Sequence, residues 1–167
     1  MVYRHLNQID AKAIYSTCGA YRYLLTLQHS DREYGQTVCV IMQNPSIAGS
    51  EFADKSVQFL ETLIFQKEYP EFDNVSTILI VNQFARIQTK NFKARPSDVG
   101  PENNGHIQKA ICQSDIILIA WGKINPYTER QQAIQDMIQA HKNKMVLMTK
   151  KHPSRGSYQE FITTYSS

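Results

Sequence analysis

Thr37-Val38-Cys39-Val40-Ile41-Met42 is an unbroken apolar run of strand length. A strand with one wet face alternates polar and apolar residues; an unbroken run has both faces covered and belongs in the middle of a sheet. The run ends at Gln43-Asn44-Pro45-Ser46, where Pro45 cannot donate to a ladder and so closes the strand. Three later runs, mostly apolar, also end in polar loops. Val75-Ser76-Thr77-Ile78-Leu79-Ile80-Val81 leads into Asn82-Gln83-Phe84-Ala85-Arg86, and Asp115-Ile116-Ile117-Leu118-Ile119-Ala120 into Trp121-Gly122-Lys123. Met145-Val146-Leu147-Met148 leads into Lys150-Lys151-His152-Pro153-Ser154-Arg155-Gly156-Ser157. Open α/β sheets bind ligands at the carboxyl ends of their strands. The loops after these strands are therefore expected to converge on one site.

Helical spacing fills the gaps between the runs. From Ala53 to Lys67 the apolar positions Val57, Leu60, Leu63 and Ile64 recur at helical intervals. Asp54 near the start complements the positive end of that helix. Asn103 or Asn104 suits the cap of a helix through Ile107 and Ile111. Pro126 suits the first turn of another, which carries Ile134, Met137 and Ile138 and ends near His141. Arg22-Tyr23-Leu24-Leu25-Thr26-Leu27 is rich in strand formers and is followed by a turn at residues 30–35. It is expected to pair with 37–42 as an antiparallel hairpin at one side of the sheet. Residues 1–20 are polar and mixed, with no strong period, and Tyr158-Gln159-Glu160-Phe161-Ile162 is expected to open a short C-terminal helix. The resulting order, β-β-α-β-α-β-α-β-α, implies an α/β fold with a mostly parallel sheet and helices on both faces. With no linker, repeat or low-complexity tract, residues 1–167 are expected to form one domain.

Composition narrows the function classes. A chain of 167 residues can bury a core without disulfide support, and 42% hydrophobic with 20% charged residues is ordinary for a globular protein. The net charge of +3 permits an anionic partner without requiring one. Cys18, Cys39 and Cys112 lie far apart and form no C-x-x-C pair, which argues against zinc and iron–sulfur sites. Cys39 and Cys112 sit in apolar surroundings and are expected to be reduced core residues. Phosphate-binding glycine loops and metal-spaced His/Asp sets are absent from the sequence, so neither a cofactor nor a metal is expected. The N-terminus, Met1-Val2-Tyr3-Arg4-His5-Leu6, is unlike a signal peptide and no apolar run is long enough to span a bilayer. A cytoplasmic protein without a membrane partner is expected.

Four candidates for chemistry stand at the strand ends. His152, held by the following proline among Lys150, Lys151, Ser154 and Arg155, reads as part of an anion-facing loop and can donate to developing negative charge. Asn44 offers a donor and an acceptor to a water or a ligand edge. Asn82 ends a strand and can read a base edge in the same way. The connection from Gln83 to Asn104 is longer than usual, and Arg86, Lys90, Lys93 and Arg95 make it basic, so contact with an anion is expected there. Trp121 reads as packing, with Gly122 permitting a tight turn.

Two resemblances rest on these residues. From about Arg22 to the C-terminus the set Asn44-Pro45-Ser46, Asp54, Asn82, Gly100-Pro101 with Asn103, Trp121-Gly122, Arg130 and His152-Pro153 resembles a bacterial and phage family, domain of unknown function family 1643. The order of loops is also similar to the uracil-DNA glycosylase superfamily. Met42-Gln43-Asn44-Pro45-Ser46 stands where that superfamily has its water-positioning motif, and Ile78-Leu79-Ile80-Val81-Asn82 where it has the strand that ends in a base-reading Asn. Ile119-Ala120-Trp121-Gly122 resembles its Leu-Trp-Gly strand, and His152-Pro153-Ser154-Arg155-Gly156-Ser157-Tyr158 its final H-P-S and wedge loop.

This second resemblance implies a three-layer α/β/α sandwich and hydrolysis of an N-glycosidic bond in DNA, with the target nucleotide flipped into the pocket. It implies that Asn44 positions water, that His152 stabilises the departing base and that Asn82 binds the base. Pro45, Ser46, Lys151, Ser154, Ser157 and the basic Arg86 would meet DNA or its phosphates, and Arg155 would be the wedge. Phe52, Phe59 and Phe84 are the candidates for stacking on the base. Two departures bear on substrate. Asn44 replaces the acid of the most active members, and Ser46 replaces a tyrosine that blocks bases substituted at carbon 5. A pocket open to modified bases, such as the modified pyrimidines of phage DNA, is expected, with antiviral defence as its use. A non-catalytic DNA- or nucleotide-binding module of the same fold, or a hydrolase of free nucleosides and nucleotides, is the alternative.

Overall fold

The computed structural model describes residues 3–165; Met1 and Val2 of the N-terminal stretch read above, and the last two residues, lie outside it. The described residues form strands β1 (Ile9–Tyr15), β2 (Arg22–His29), β3 (Gln36–Met42), β4 (Val75–Asn82), β5 (Ile116–Ile119), β6 (Met145–Thr149) and β7 (Ile162–Thr164). The helices are α1 (Lys55–Phe65), α2 (Asn103–Gln113) and α3 (Thr128–Gln139). The strands make one mixed sheet in the order β1-β2-β4-β3-β5-β6-β7.

The four apolar runs are its centre. β4, β3, β5 and β6 are parallel neighbours, flanked by antiparallel β1 and β2 at one edge and β7 at the other. A mostly parallel sheet was expected; the added edges make half of the pairings antiparallel. The expected hairpin does not form, because β4 lies between β2 and β3, with Leu25 opposite Ile80 on one side and Val40 opposite Ile80 on the other. β3 is apolar on both faces and takes a parallel partner on each side, β4 and β5.

Two short elements differ from expectation. In β1 the half-buried Ile9, Ala11 and Ala13 alternate with exposed residues, as an edge strand requires. At the C-terminus there is a strand, not a helix. Phe161 is buried against Phe59, and the β-branched Ile162-Thr163-Thr164 pairs antiparallel with β6.

The alternation of strand side chains divides the core. Val38, Val40 and Met42 of β3 pack with Val57, Leu60 and Ile64 of α1. Cys39 and Ile41 point the other way and pack with Ile107 and Ile111 of α2 and Ile134 and Ile138 of α3. Each fully buried aliphatic side chain contributes about 1.5–3 kcal/mol relative to exposure. Cys39 lies within this core, where burial pushes its thiol up to about 12. Cys112, also expected in the core, is exposed. Ile107 and Ile111 hold the inner stripe of α2, which leaves residue 112 a step round the helix on the solvent side.

Asp54 caps α1, its Oδ1 accepting from the Val57 N–H at 2.8 Å. Asn103 is not a cap: Glu102 takes that place, while the buried Asn103 side chain turns to the end of β4.

Candidate functional site

A cleft with a volume of about 410 Å³ lies at the carboxyl ends of β3 and β4. Asn44, Pro45 and Ser46 enter it from the loop after β3, and His152 and Ser154 from the loop after β6. Asp54, Lys55 and Ser56 contribute the start of α1, Gln88 and Thr89 the loop after β4, and Arg22 and Met42 the strands beneath. Two of the four expected loops therefore meet; of the third, residues 82–86 do not line the cleft, and only the chain beyond them, at Gln88 and Thr89, reaches it. The fourth, after β5, does not line the cleft. Trp121 is buried in the α2–α3 core, and Gly122 packs behind His152.

The loop after β6 fixes both the position and the tautomer of His152. Pro153 opens a single 3-10 turn, Pro153–Arg155, which folds the Ser154 N–H back onto His152 Nδ1 at 3.1 Å; Ser154 Oγ lies 2.9 Å from the same nitrogen. A peptide N–H can only donate. Nδ1 therefore carries a lone pair, and the ring proton of the neutral imidazole sits on Nε2. Burial pushes the His152 pKa below its ordinary 6.5; Asp54 opposes the shift and Arg155 adds to it. The result is a neutral imidazole with one N–H donor at the cleft.

Asn44 is held as firmly. Its Nδ2 donates to Gln88 O at 2.8 Å and Pro45 O at 3.2 Å, tying the loop after β3 to the loop after β4 and leaving Oδ1 as the acceptor for a ligand or water. Ser46 Oγ accepts from the Ile47 N–H.

Asn82, expected to read a base, does not border the cleft. It is 1% exposed, and neither its Oδ1 nor its Nδ2 has a protein partner. It pairs with Met42, which does line the cleft, and alternation puts it on the α1 side with Ile80. The chain just beyond is clamped from the opposite side. Asn103 Nδ2 donates to Asn82 O at 2.9 Å and Gln83 O at 3.2 Å, Arg130 Nε donates to Gln83 O at 2.7 Å, and Asn125 Nδ2 donates to Gln83 Oε1 at 2.9 Å. Arg130 is buried with no carboxylate in contact among the described residues, and burial lowers its pKa to about 10.

The expected stacking aromatics are elsewhere. Phe59 lies beneath Gly156 and stacks on Tyr158 at 4.8 Å, since its helical position faces the loop after β6 and not the cleft. Phe84 is fully buried against Phe92 and Tyr127. Phe52 is 50% exposed and does not line the cleft. Lys151, Arg155 and Ser157 are exposed residues of the loop after β6, outside the cleft lining. Arg86 is paired with Asp98 at 2.7 Å and donates to the Tyr21 hydroxyl at 2.9 Å. It borders a separate basic hollow with Lys93 and Arg95, which meets the main cleft at Gln88.

Sequence reasoning missed Arg22 and the pair of His5 and Glu61. Arg22 was legible only as a charge opening an otherwise apolar strand; its Nη1 donates to Ala48 O at 2.6 Å, beneath the loop that carries Ser46. His5 Nε2 donates to Gly49 O in that same loop at 2.7 Å, and its Nδ1 meets the buried Glu61 carboxylate at 2.6 Å. Among the described residues no three His, Cys, Asp or Glu side chains are grouped to hold a metal, and no helix is long and apolar enough to cross a membrane.

Comparison with curated proteins and with solved structures returns no match. Residues 22–156, most of the chain, match the family described as Protein of unknown function (DUF1643), and the protein belongs to that family.

Proposed function

We propose that the protein is a DNA glycosylase that hydrolyses the N-glycosidic bond of a flipped, modified base, on a three-layer α/β/α fold of the uracil-DNA glycosylase type. Placement of α1 on one face of the sheet and of α2 and α3 on the other supports the fold reading. The observation that carries the function is the pairing of a neutral His152, with its Nε2–H free to donate, and an Asn44 whose amide group is held so that Oδ1 is left to accept.

In the reaction, the C1′–N bond breaks and its electron pair leaves with the base. The His152 Nε2–H donates a hydrogen bond to the base oxygen on which that charge collects. A water accepted by Asn44 Oδ1 adds its oxygen to C1′ and releases a proton to solvent, and the base takes up a proton as it departs. Donors aimed at developing charge are each worth about 10²–10³-fold in rate. Asn44 is neutral and cannot remove the water's proton, so the reaction depends on a base that leaves readily. Ser46, a small residue on the cleft wall, leaves room for a substituted pyrimidine. Clearing invading phage genomes of modified bases is the role that fits.

The test is base release from DNA carrying uracil, 5-hydroxymethylated or glucosylated pyrimidines, read as alkali-labile abasic sites. Release confined to one substrate, and lowered about 10²-fold or more in His152→Ala and in Asn44→Ala, is the expected result. One observation favours a second reading. Because the Asn44 amide bridges two loops, the residue also suits a module that binds DNA without turnover. Salt-sensitive DNA binding without release from any substrate identifies that module.

A further inference from the structure

A bulge prepares the floor of the cleft. In the pairing of β1 with β2, Ile14 faces Leu24 and Tyr15 faces Arg22, so Tyr23 is the extra residue. Tyr23 and Leu24 consequently lie on the same side: Tyr23 stacks on His106 of α2 at 4.9 Å, and Leu24 packs with the α2–α3 core. Strict alternation would send Arg22 to that side with Leu24. The bulge re-aims it to the α1 side, into the cleft, which is a common use of bulges beside functional sites.

The guanidinium is left there without an anion. Arg22 is 1% exposed and its Nε has no hydrogen-bond partner. Among the described residues no carboxylate lies within ion-pair distance. Its Nη1 satisfies only the carbonyl of Ala48. The Asp54 carboxylate, which also lines the cleft, acts on the guanidinium only through space, and its Oδ1 accepts from the Val57 N–H. Burial lowers the Arg22 pKa to about 10, so the group remains charged at neutral pH. On the adjacent strand Asn82 is equally buried, with both amide atoms unpartnered. A desolvated cation with no counterion is costly unless something supplies one.

We infer that Arg22 is the anion-holding residue of this cleft, and that the ligand places a phosphate- or carboxylate-type oxyanion on the Arg22 guanidinium. This rests on the reading that the cleft is the functional site, but it requires no turnover. To the modified base of the glycosylase reading, Arg22 adds an anionic group at the floor of the cleft. The group is either a phosphate of the nucleotide or an acidic substituent on the base.

The experiment measures binding to the full chain, with deoxyuridine, deoxyuridine 5′-monophosphate and 5-carboxydeoxyuridine as probes. Calorimetry gives affinity, and the ¹⁵Nε–¹Hε signal of Arg22, assigned from its loss in Arg22→Met, reports contact; the Arg130 signal is the internal control. Expected is at least a tenfold preference for one anionic probe over deoxyuridine, a shift of the Arg22 signal alone, and loss of the preference in Arg22→Met. The monophosphate as preferred probe identifies a phosphate subsite, and the carboxylated nucleoside an acidic base. Arg22→Lys, which keeps the charge, retains part of the preference and covers the case in which Arg22→Met does not fold. Equal affinity for charged and neutral probes, or an unmoved Arg22 signal with every probe, overturns the inference. Failure of base release with this preference intact rejects only the glycosylase reading.

Discussion

Gly122 and His152 pack so closely that a Cβ placed on Gly122 would lie 3.0 Å from His152 Cβ and 3.4 Å from His152 N. Gly122 also has φ +76°, in the left-handed region. The loop after β5 thus contributes no side chain to the cleft and instead sets how far back His152 can sit. Gly122→Ala combines a left-handed backbone penalty of about 1–2 kcal/mol with a push on the imidazole. Unfolding of a chain this size shifts by about 2–4 °C per kcal/mol. A fall in Tm of that order is expected, with a loss of base release larger than the loss of folded protein explains. Thermal melts and the abasic-site assay on the same preparation check this, and a lowered Tm with undiminished release would separate Gly122 from His152.

The clamp on β4 gives the next prediction. Asn103 Nδ2 holds the carbonyls of both Asn82 and Gln83 from a fully buried position. Asn103→Ala removes the side-chain donor to Asn82 O, while Gln83 O keeps its hydrogen bond from Arg130 Nε. The expected destabilisation is that of one unsatisfied buried acceptor, about 1–3 kcal/mol in urea or thermal unfolding. Asn103→Asp keeps the shape but loses the donor, so it is expected to fail similarly. Rescue by Asp would show that volume, and not the hydrogen bonds, is what matters.

The parts of the fold that were legible are those where burial dictates sequence. β3, β4 and β5 read as largely apolar runs because both faces of a central parallel strand are covered; β6 was legible from its apolar run alone, since Met145 is exposed and Val146 and Met148 are half-buried. The edges were not legible. In β1, alanines at the half-buried positions give too weak a contrast with Asp10 and Lys12, and β7 spans only Ile162–Thr164. Partner choice was also hidden. Nothing local says that β4 inserts between β2 and β3, because pairing is decided by which faces must be covered. At the site, residues beside prolines at strand ends could be found, as with Asn44 and His152, because those loops have few ways to fold. Arg22 could not, since only the bulge at Tyr23 turns it into the cleft. Phe59 was misassigned to the site because its ring serves the packing of Tyr158 and Phe161, which depends on how the last loop returns to α1.

His5 and Glu61 predict a pH-dependent stability. Burial acts to lower the His5 pKa, but the Glu61 hydrogen bond, the Gly49 carbonyl and the Glu61 charge together raise it above the ordinary 6.5. A raised folded value means that the protonated pair stabilises the fold fully below pH 6.5 and that this contribution fades as pH climbs through the folded value. Glu61→Leu is expected to cost about 2 kcal/mol at pH 6, as for a hydrogen bond to a charged group, and clearly less at pH 8.5. Urea melts at the two pH values measure the difference. A cost independent of pH would show that Glu61 acts through packing alone.

The state of His152 fixes the pH profile of catalysis under the glycosylase reading. Burial first, opposed by Asp54 and assisted by Arg155, holds its folded pKa below 6.5. Protonation must occur at Nδ1, which accepts from the Ser154 N–H at 3.1 Å, so it breaks that bond and releases the ring from its fixed orientation. The neutral form, with its proton on Nε2, is therefore the competent one. Base release is expected to reach a plateau above the folded pKa and to fall on the acid side, at a midpoint below 6.5. Stability follows the same sign: a depressed folded value means that stability is lost as pH drops from 6.5 through the folded pKa, and His29, also depressed by burial, adds to that slope. The difference between the stability profiles of the parent and of His152→Gln isolates the His152 contribution. A single-turnover rate that falls as pH rises through 6 to 8 would mean that the imidazolium, not the neutral ring, meets the departing base, and the lone-pair assignment at Nδ1 would have to be abandoned.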